Sequence, residues 1–152
     1  MRILVAFNNS ETSKCALKYA LEMKVAVDYY LVLYVYPETV GVGPIYDTYI
    51  PEKVYEKEED KAQAILNDAK KLMEGISTPT EFLAFDAESK DVAEAIAEIA
   101  KEKKIDLIVT GSRNLKGIER IVLGSVSEGI LRHSTVPVLI CAKNSCNRAV
   151  KK

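Results

Sequence analysis

The chain has 152 residues, of which 48% are hydrophobic and 28% charged, and a formal net charge of -1. That length suits one domain with one buried core, and that hydrophobicity at balanced charge excludes general disorder. Its 21 lysines and arginines are matched by 22 acidic residues, so no overall positive field exists to gather nucleic acid, and no apolar run approaches a membrane span. Met1-Arg2-Ile3-Leu4-Val5 lacks the apolar region and cleavage site of a signal peptide and reads directly as a strand, so a cytoplasmic protein is expected.

Ile3 to Phe7 is short and apolar enough for a buried strand, and it breaks at the turn residues Asn8-Asn9-Ser10. Cys15, Tyr19 and Met23, with Ala16 and Ala20 beside them, then recur at helical spacing and predict one apolar helix face. Tyr29 to Tyr36 is a second apolar run, ended by Pro37. Glu38 to Pro51, with Gly41, Gly43 and Pro44, has no periodicity and reads as a long surface loop of the kind that often carries function. From about Glu52 a charged helix follows, its inner face marked by Ala62, Ile65, Leu66, Ala69, Leu72 and Met73. The acidic run Glu56 to Asp60 on it is a solvated face.

Thr80 to Phe85 reads as the third strand. Asp91 and Glu94 fit a capping box for a helix striped by Val92, Ile96, Ile99 and Ala100, which closes on Lys101, Lys103 and Lys104. Ile105 to Thr110 is a fourth strand, Gly111 to Leu123 a loop, and a fourth helix starts near Ser125. Val136 to Cys141 is the last strand, and the polar tail from Lys143 to Lys152 is expected to fray. Alternating strands and helices, with strands apolar on both faces, imply one doubly wound α/β domain: a parallel sheet with helices on both faces.

Cys15, Cys141 and Cys146 form no C-x-x-C pair, and His133 is the one imidazole. Reduced, idle thiols are therefore expected, with no zinc site and no redox pair. His133 reads as a helix-end residue favoured by the dipole, since no acid or nucleophile elbow accompanies it.

Ligands of an open parallel sheet lie beyond the carboxyl ends of its strands, at the point where the winding reverses. Two stretches meet there. One is Ala6-Phe7-Asn8-Asn9-Ser10; the other runs from Thr110-Gly111-Ser112-Arg113-Asn114 to Gly124-Ser125-Val126-Ser127-Glu128. Gly111 would allow close approach of a ligand to the backbone, and the helix opening at Ser125 offers hydroxyls and free amides to an anion. Ser125 and Glu128 also satisfy a capping box, so local physics leaves two readings open: an anion site or a well-capped helix.

The run from Gly111 to Ser127 resembles the nucleotide loop of the universal stress protein family. Leu131-Arg132-His133-Ser134 and Val136-Pro137-Val138-Leu139 resemble its closing helix and strand, Ile3-Leu4-Val5-Ala6 and Ser10-Glu11-Thr12-Ser13 its first strand and helix start, and Asp106 to Gly111 the stretch before its loop, so the likeness covers nearly the whole chain. It implies a five-stranded parallel sheet in the order 3-2-1-4-5, of the adenine nucleotide alpha hydrolase-like type, spanning residues 1–143 before a polar tail at 144–152. It also implies a stress-response protein that binds ATP, or ADP or AMP, with or without magnesium, and a homodimer formed through Val136, Val138 and Ile140 of the last strand. Neither nucleic acid nor membrane is implied as a partner.

By that resemblance Ala6, Phe7, Asn8 and Val35 line the adenosine pocket, and Thr110 and Gly111 its floor and ribose side. Arg113, Asn114, Gly124, Ser125, Val126 and Ser127 surround the phosphates, where a guanidinium suits phosphate geometry. ATP-binding members show G-x2-G-x9-G-[S/T]; here Asn114 stands at the middle glycine, and Asn8 stands at the family's aspartate. Nucleotide-free dimer and slow ATPase are the alternatives. Nothing in the sequence names a general base, a committed magnesium ligand or a Walker-type phosphate loop.

Overall fold

Five runs of apolar residues line up as one all-parallel sheet in the order β3-β2-β1-β4-β5. The computed structural model describes residues 1–36, 52–88, 90–112 and 123–146. The elements in chain order are β1 (Arg2–Ala6), α1 (Glu11–Glu22), β2 (Tyr29–Tyr36), α2 (Glu52–Leu72), β3 (Thr80–Asp86), α3 (Val92–Glu102), β4 (Leu107–Gly111), α4 (Ser125–His133), β5 (Val138–Cys141) and α5 (Lys143–Cys146). The expected α/β class, strand order and two helical layers are all present.

Alternation along the central strands divides the core in two. Ile3, Val5, Tyr30, Val32 and Tyr34 face α1 and α2, where they meet Ala16, Leu17, Ala20, Ile65 and Leu66. Leu4, Leu31, Leu33 and Ile108 face the other way, onto Ile96, Ile99 and Ile130 of α3 and α4. β1 and most of β2 are buried on both faces, which is why they read as unbroken apolar runs rather than alternating ones.

Several local expectations are corrected. α1 buries Thr12, Ser13, Cys15, Ala16, Leu17 and Ala20, while Tyr19 is 46% exposed and Met23 is the C-cap. The buried arc lies one residue round from the expected stripe, because small side chains let α1 sit close over β4. Asp91 does precede α3, but its side chain makes no capping bond there, so the capping box is absent. β4 starts at Leu107 because the N–H of Ile105 closes α3 on Ala100 (2.9 Å) instead of joining the ladder. β5 starts at Val138: Pro137 has no N–H, and Val136 donates its own to the Ser134 hydroxyl (3.1 Å).

The cysteine expectation fails as well. Cys15 on α1 and Cys146 on α5 are joined as a disulfide, with Cα atoms 5.3 Å apart across 131 residues of sequence, and Cys141 is free and buried. Spacing along the chain could not show this, because the topology brings the two ends together. The tail accordingly does not fray at its start: Lys143–Cys146 is a helical turn packed on α1.

The two ends of the sheet differ in how their polar groups are used. At the amino ends, Tyr29 donates to Glu81, Glu81 pairs with Lys103 (2.9 Å), and the Arg2 guanidinium lies 3.9 Å over the Tyr29 ring. That end satisfies itself. At the carboxyl ends the chain leaves a cleft.

Candidate functional site

The loop after β1 is held by a chain of short-range bonds. Asn8 accepts at Oδ1 from the Ser10 N–H (3.1 Å), and Ser10 caps α1 by accepting from the Ser13 N–H (3.2 Å). Asn9 takes the left-handed conformation (φ 66°), which asparagine tolerates, and donates through Nδ2 to Asp68 of α2 (2.9 Å). These contacts anchor α1 and α2 on either side of the end of β1.

The end of β4 is held from two directions. Thr12 donates through its hydroxyl to the Ser112 carbonyl (2.6 Å), and Ser127 donates to the Gly111 carbonyl (2.9 Å). Both side chains are buried, so their hydroxyls are spent on structure. A Cβ on Gly111 would lie 2.5 Å from the Thr12 backbone carbon. The glycine therefore admits the first turn of α1 at the edge of the cleft.

α4 starts where the sequence places it, at Ser125, which is exposed. Its N-cap is Gly124 (φ -70°, ψ 163°), which has no side chain to cap with. Glu128 pairs with Arg132 (3.1 Å) instead of reaching back. The well-capped alternative is thereby removed. The first amides of α4 carry no side-chain cap, and the helix dipole adds positive potential there.

Between these ends lies a cleft of about 500 Å³. Ala6, Phe7, Asn8, Val35, Thr110, Gly111, Gly124, Ser125, Val126 and Ser127, ten of the twelve candidate residues, all line it. Arg113 and Asn114 lie outside the described residues. Ser10 and Ser112, which belong to the two stretches expected at the site, line it too, and sequence reasoning missed Thr12 and Ser13 of α1, Leu33 and Tyr34 of β2, Lys61 and Ile65 of α2, and Val92 and Ile96 of α3. The signal for Lys61 and Ile65 was present in the helical period of α2, since they are four residues apart, but nothing local says that this end of the helix reaches the cleft.

Chemically the cleft has an apolar body and donor-rich ends. Ala6, Val35, Val92 and Ile96 offer apolar surface, and Val126 adds an exposed apolar rim. Burial, followed by the charge of Glu58, pushes the Tyr34 phenol above its ordinary value, so it stays protonated. Among the described lining residues Lys61 is the one charged side chain, and none is a carboxylate. No cluster of three metal-ligating side chains occurs among the described residues.

A doubly wound parallel sheet with a cleft where β1 and β4 diverge defines a class of small α/β ligand-binding domains. The model of the universal stress protein family matches residues 1–142, and the chain belongs to that family. A universal stress protein of Methanocaldococcus jannaschii is 32% identical over 146 residues, covering 93% of this chain and 82% of the relative. Two solved structures share the fold. An Arabidopsis thaliana family member with AMP bound has a TM-score of 0.64 at 21% identity, over 95% of this chain and 93% of that one. A universal stress protein in complex with cAMP has a TM-score of 0.65 at 23% identity, over 93% and 96%.

Proposed function

We propose that the cleft binds an adenine nucleotide, ATP foremost, and that the chain serves in stress response as a regulatory binding protein rather than a fast enzyme. The observation that carries this reading is the convergence of an uncapped helix N-terminus and an apolar slot in one cleft. The volume of about 500 Å³ lies within the range of small-molecule sites. Ala6, Val35, Val92 and Ile96 would take the base, and Ser125 with the first amides of α4 would take phosphate. AMP and cAMP in two fold neighbours support the nucleotide class.

Magnesium fits the described residues poorly as a protein-held ion. Magnesium sites draw on one or two carboxylates, and the described lining has none. An ion carried in with ATP would rest on phosphate oxygens, water and hydroxyls.

The same reading includes a homodimer through the last strand. β5 is an edge strand whose Val138 and Ile140, with Val136 just before it, are half-buried, and an uncovered apolar edge is an aggregation hazard. Pairing with a second copy about a two-fold axis would close it. A monomer mass by light scattering at micromolar concentration would exclude this.

Calorimetry of the full chain with ATP, ADP and AMP tests the nucleotide. Binding is expected, and Gly124→Val should abolish it by placing a branched side chain at the mouth of α4. No heat from any of the three up to millimolar concentration would sink the reading and leave the nucleotide-free dimer as the better account.

A further inference from the structure

The polar groups of the cleft are unevenly committed. The hydroxyls of Thr12, Ser13 and Ser127 are spent on the carbonyls of Ser112, Ser10 and Gly111 (2.6, 2.9 and 2.9 Å). Asn8 spends its amide oxygen on the Ser10 N–H (3.1 Å). A backbone N–H needs an acceptor, so the orientation of that side chain is settled, and what Asn8 has left over is Nδ2, a donor.

On the same side stands Lys61. Lys61, Ile65 and Asp68 fall along one face of α2, four and seven residues apart. Ile65 is buried with Phe7 in the core, and Asp68 accepts from Asn9 (2.9 Å), so this face is tied to the loop after β1. One turn before Ile65, Lys61 reaches the cleft, is exposed, and has no ion pair among the described residues.

The cleft thus has two donor poles. One is the first turn of α4, beside β4; the other is Lys61 with Asn8, on the β1–β2 side. β2 and β4 flank β1, and α2 and α4 pack on opposite faces of the sheet, so the poles stand on opposite sides of the cleft. A nucleoside 5′-phosphate held at α4 would meet one pole and leave the cation of the other for a second anionic group on the same ligand. No described carboxylate of the lining competes for it.

We infer that Lys61 is a specificity-determining residue that reads a second phosphate, and that the cleft prefers adenosine bisphosphates, phosphorylated on the 2′ or 3′ oxygen as well as the 5′, over AMP. The ammonium is a compact point charge on a flexible stem, suited to a phosphate monoester at either ribose oxygen. This rests on the nucleotide reading above.

The test is calorimetry of the full chain with AMP, ATP, adenosine 2′,5′-bisphosphate and adenosine 3′,5′-bisphosphate, for wild type, Lys61→Ala and Lys61→Arg. Wild type should bind at least one bisphosphate about tenfold tighter than AMP, as a charge-assisted bond implies. Lys61→Ala should lose most of that preference while costing AMP and ATP far less, and Lys61→Arg should keep it. The preference should also shrink as salt is raised. Binding of AMP or ATP without any bisphosphate preference overturns the inference and leaves the nucleotide reading standing. So does an equal loss for all four ligands in Lys61→Ala. If none of the four binds, both fall together.

Discussion

A methyl group placed on Gly111 would stand 2.5 Å from the Thr12 carbonyl carbon, 2.6 Å from its hydroxyl oxygen and 2.7 Å from the Ser13 nitrogen. Two of these are backbone atoms of a helix whose inner face is fully packed, so α1 would have to move as a body. Overpacking of this kind costs on the order of 1–3 kcal/mol. Gly111→Ala is therefore expected to lower stability by that amount in urea denaturation. It should also weaken nucleotide binding, because α1 and its N-cap bring Ser10, Thr12 and Ser13 to the cleft. An alanine variant as stable as wild type would show that α1 does not rest on Gly111. A glycine at a strand end signals close approach, and the fold adds the first turn of α1 to what comes close to this one.

At the scale of elements, the strands were the most legible part. Their apolar runs announce burial on both faces, and the errors were confined to ends, where Pro137 and the closing turn of α3 take backbone groups away from the ladder. The helix starts lie where the sequence places them, but the capping bonds of α3 and α4 do not form, because S-x-x-E and D-x-x-E are compatible with capping but do not compel it. α4 shows the consequence. With glycine at its N-cap, its first turn has amides to spare, and one acidic residue there should have opposite effects on folding and on binding. Ser125→Asp places a carboxylate at the first helical position, exposed and close to the positive end of the dipole. It should raise stability by about 0.5 kcal/mol through that interaction. The same charge would repel a nucleotide phosphate, and affinity should fall roughly tenfold. Thermal unfolding and calorimetry on one preparation measure both. A variant that gains stability and binds as well as wild type would move the phosphates away from α4, and the nucleotide site with them.

For the whole molecule, what escaped the sequence is what the topology brings together from afar. Lys61 reaches the cleft only because α2 is tied to the loop after β1, and Cys15 meets Cys146 only because β5 ends beside α1. Three cysteines without a motif gave no pairing signal, since 131 residues separate two that touch. The link joins the first helix to the last turn of the chain, so it closes a loop containing nearly every element of the sheet. In the chain-entropy account a loop of that length lowers the unfolded state's freedom by about 4–5 kcal/mol, an upper figure because unfolded chains keep some structure. Under non-reducing denaturing conditions, a thiol reagent should count one free cysteine, Cys141, and after reduction it should count three. Reduced wild type and Cys146→Ser should both melt below the oxidised protein, by similar amounts, because each leaves α5 without its anchor on α1. Cys141→Ser should keep the disulfide and its contribution to stability. Three free thiols in protein handled under air without reductant would show that the pair stays open, and α5 would then be held to α1 by packing alone.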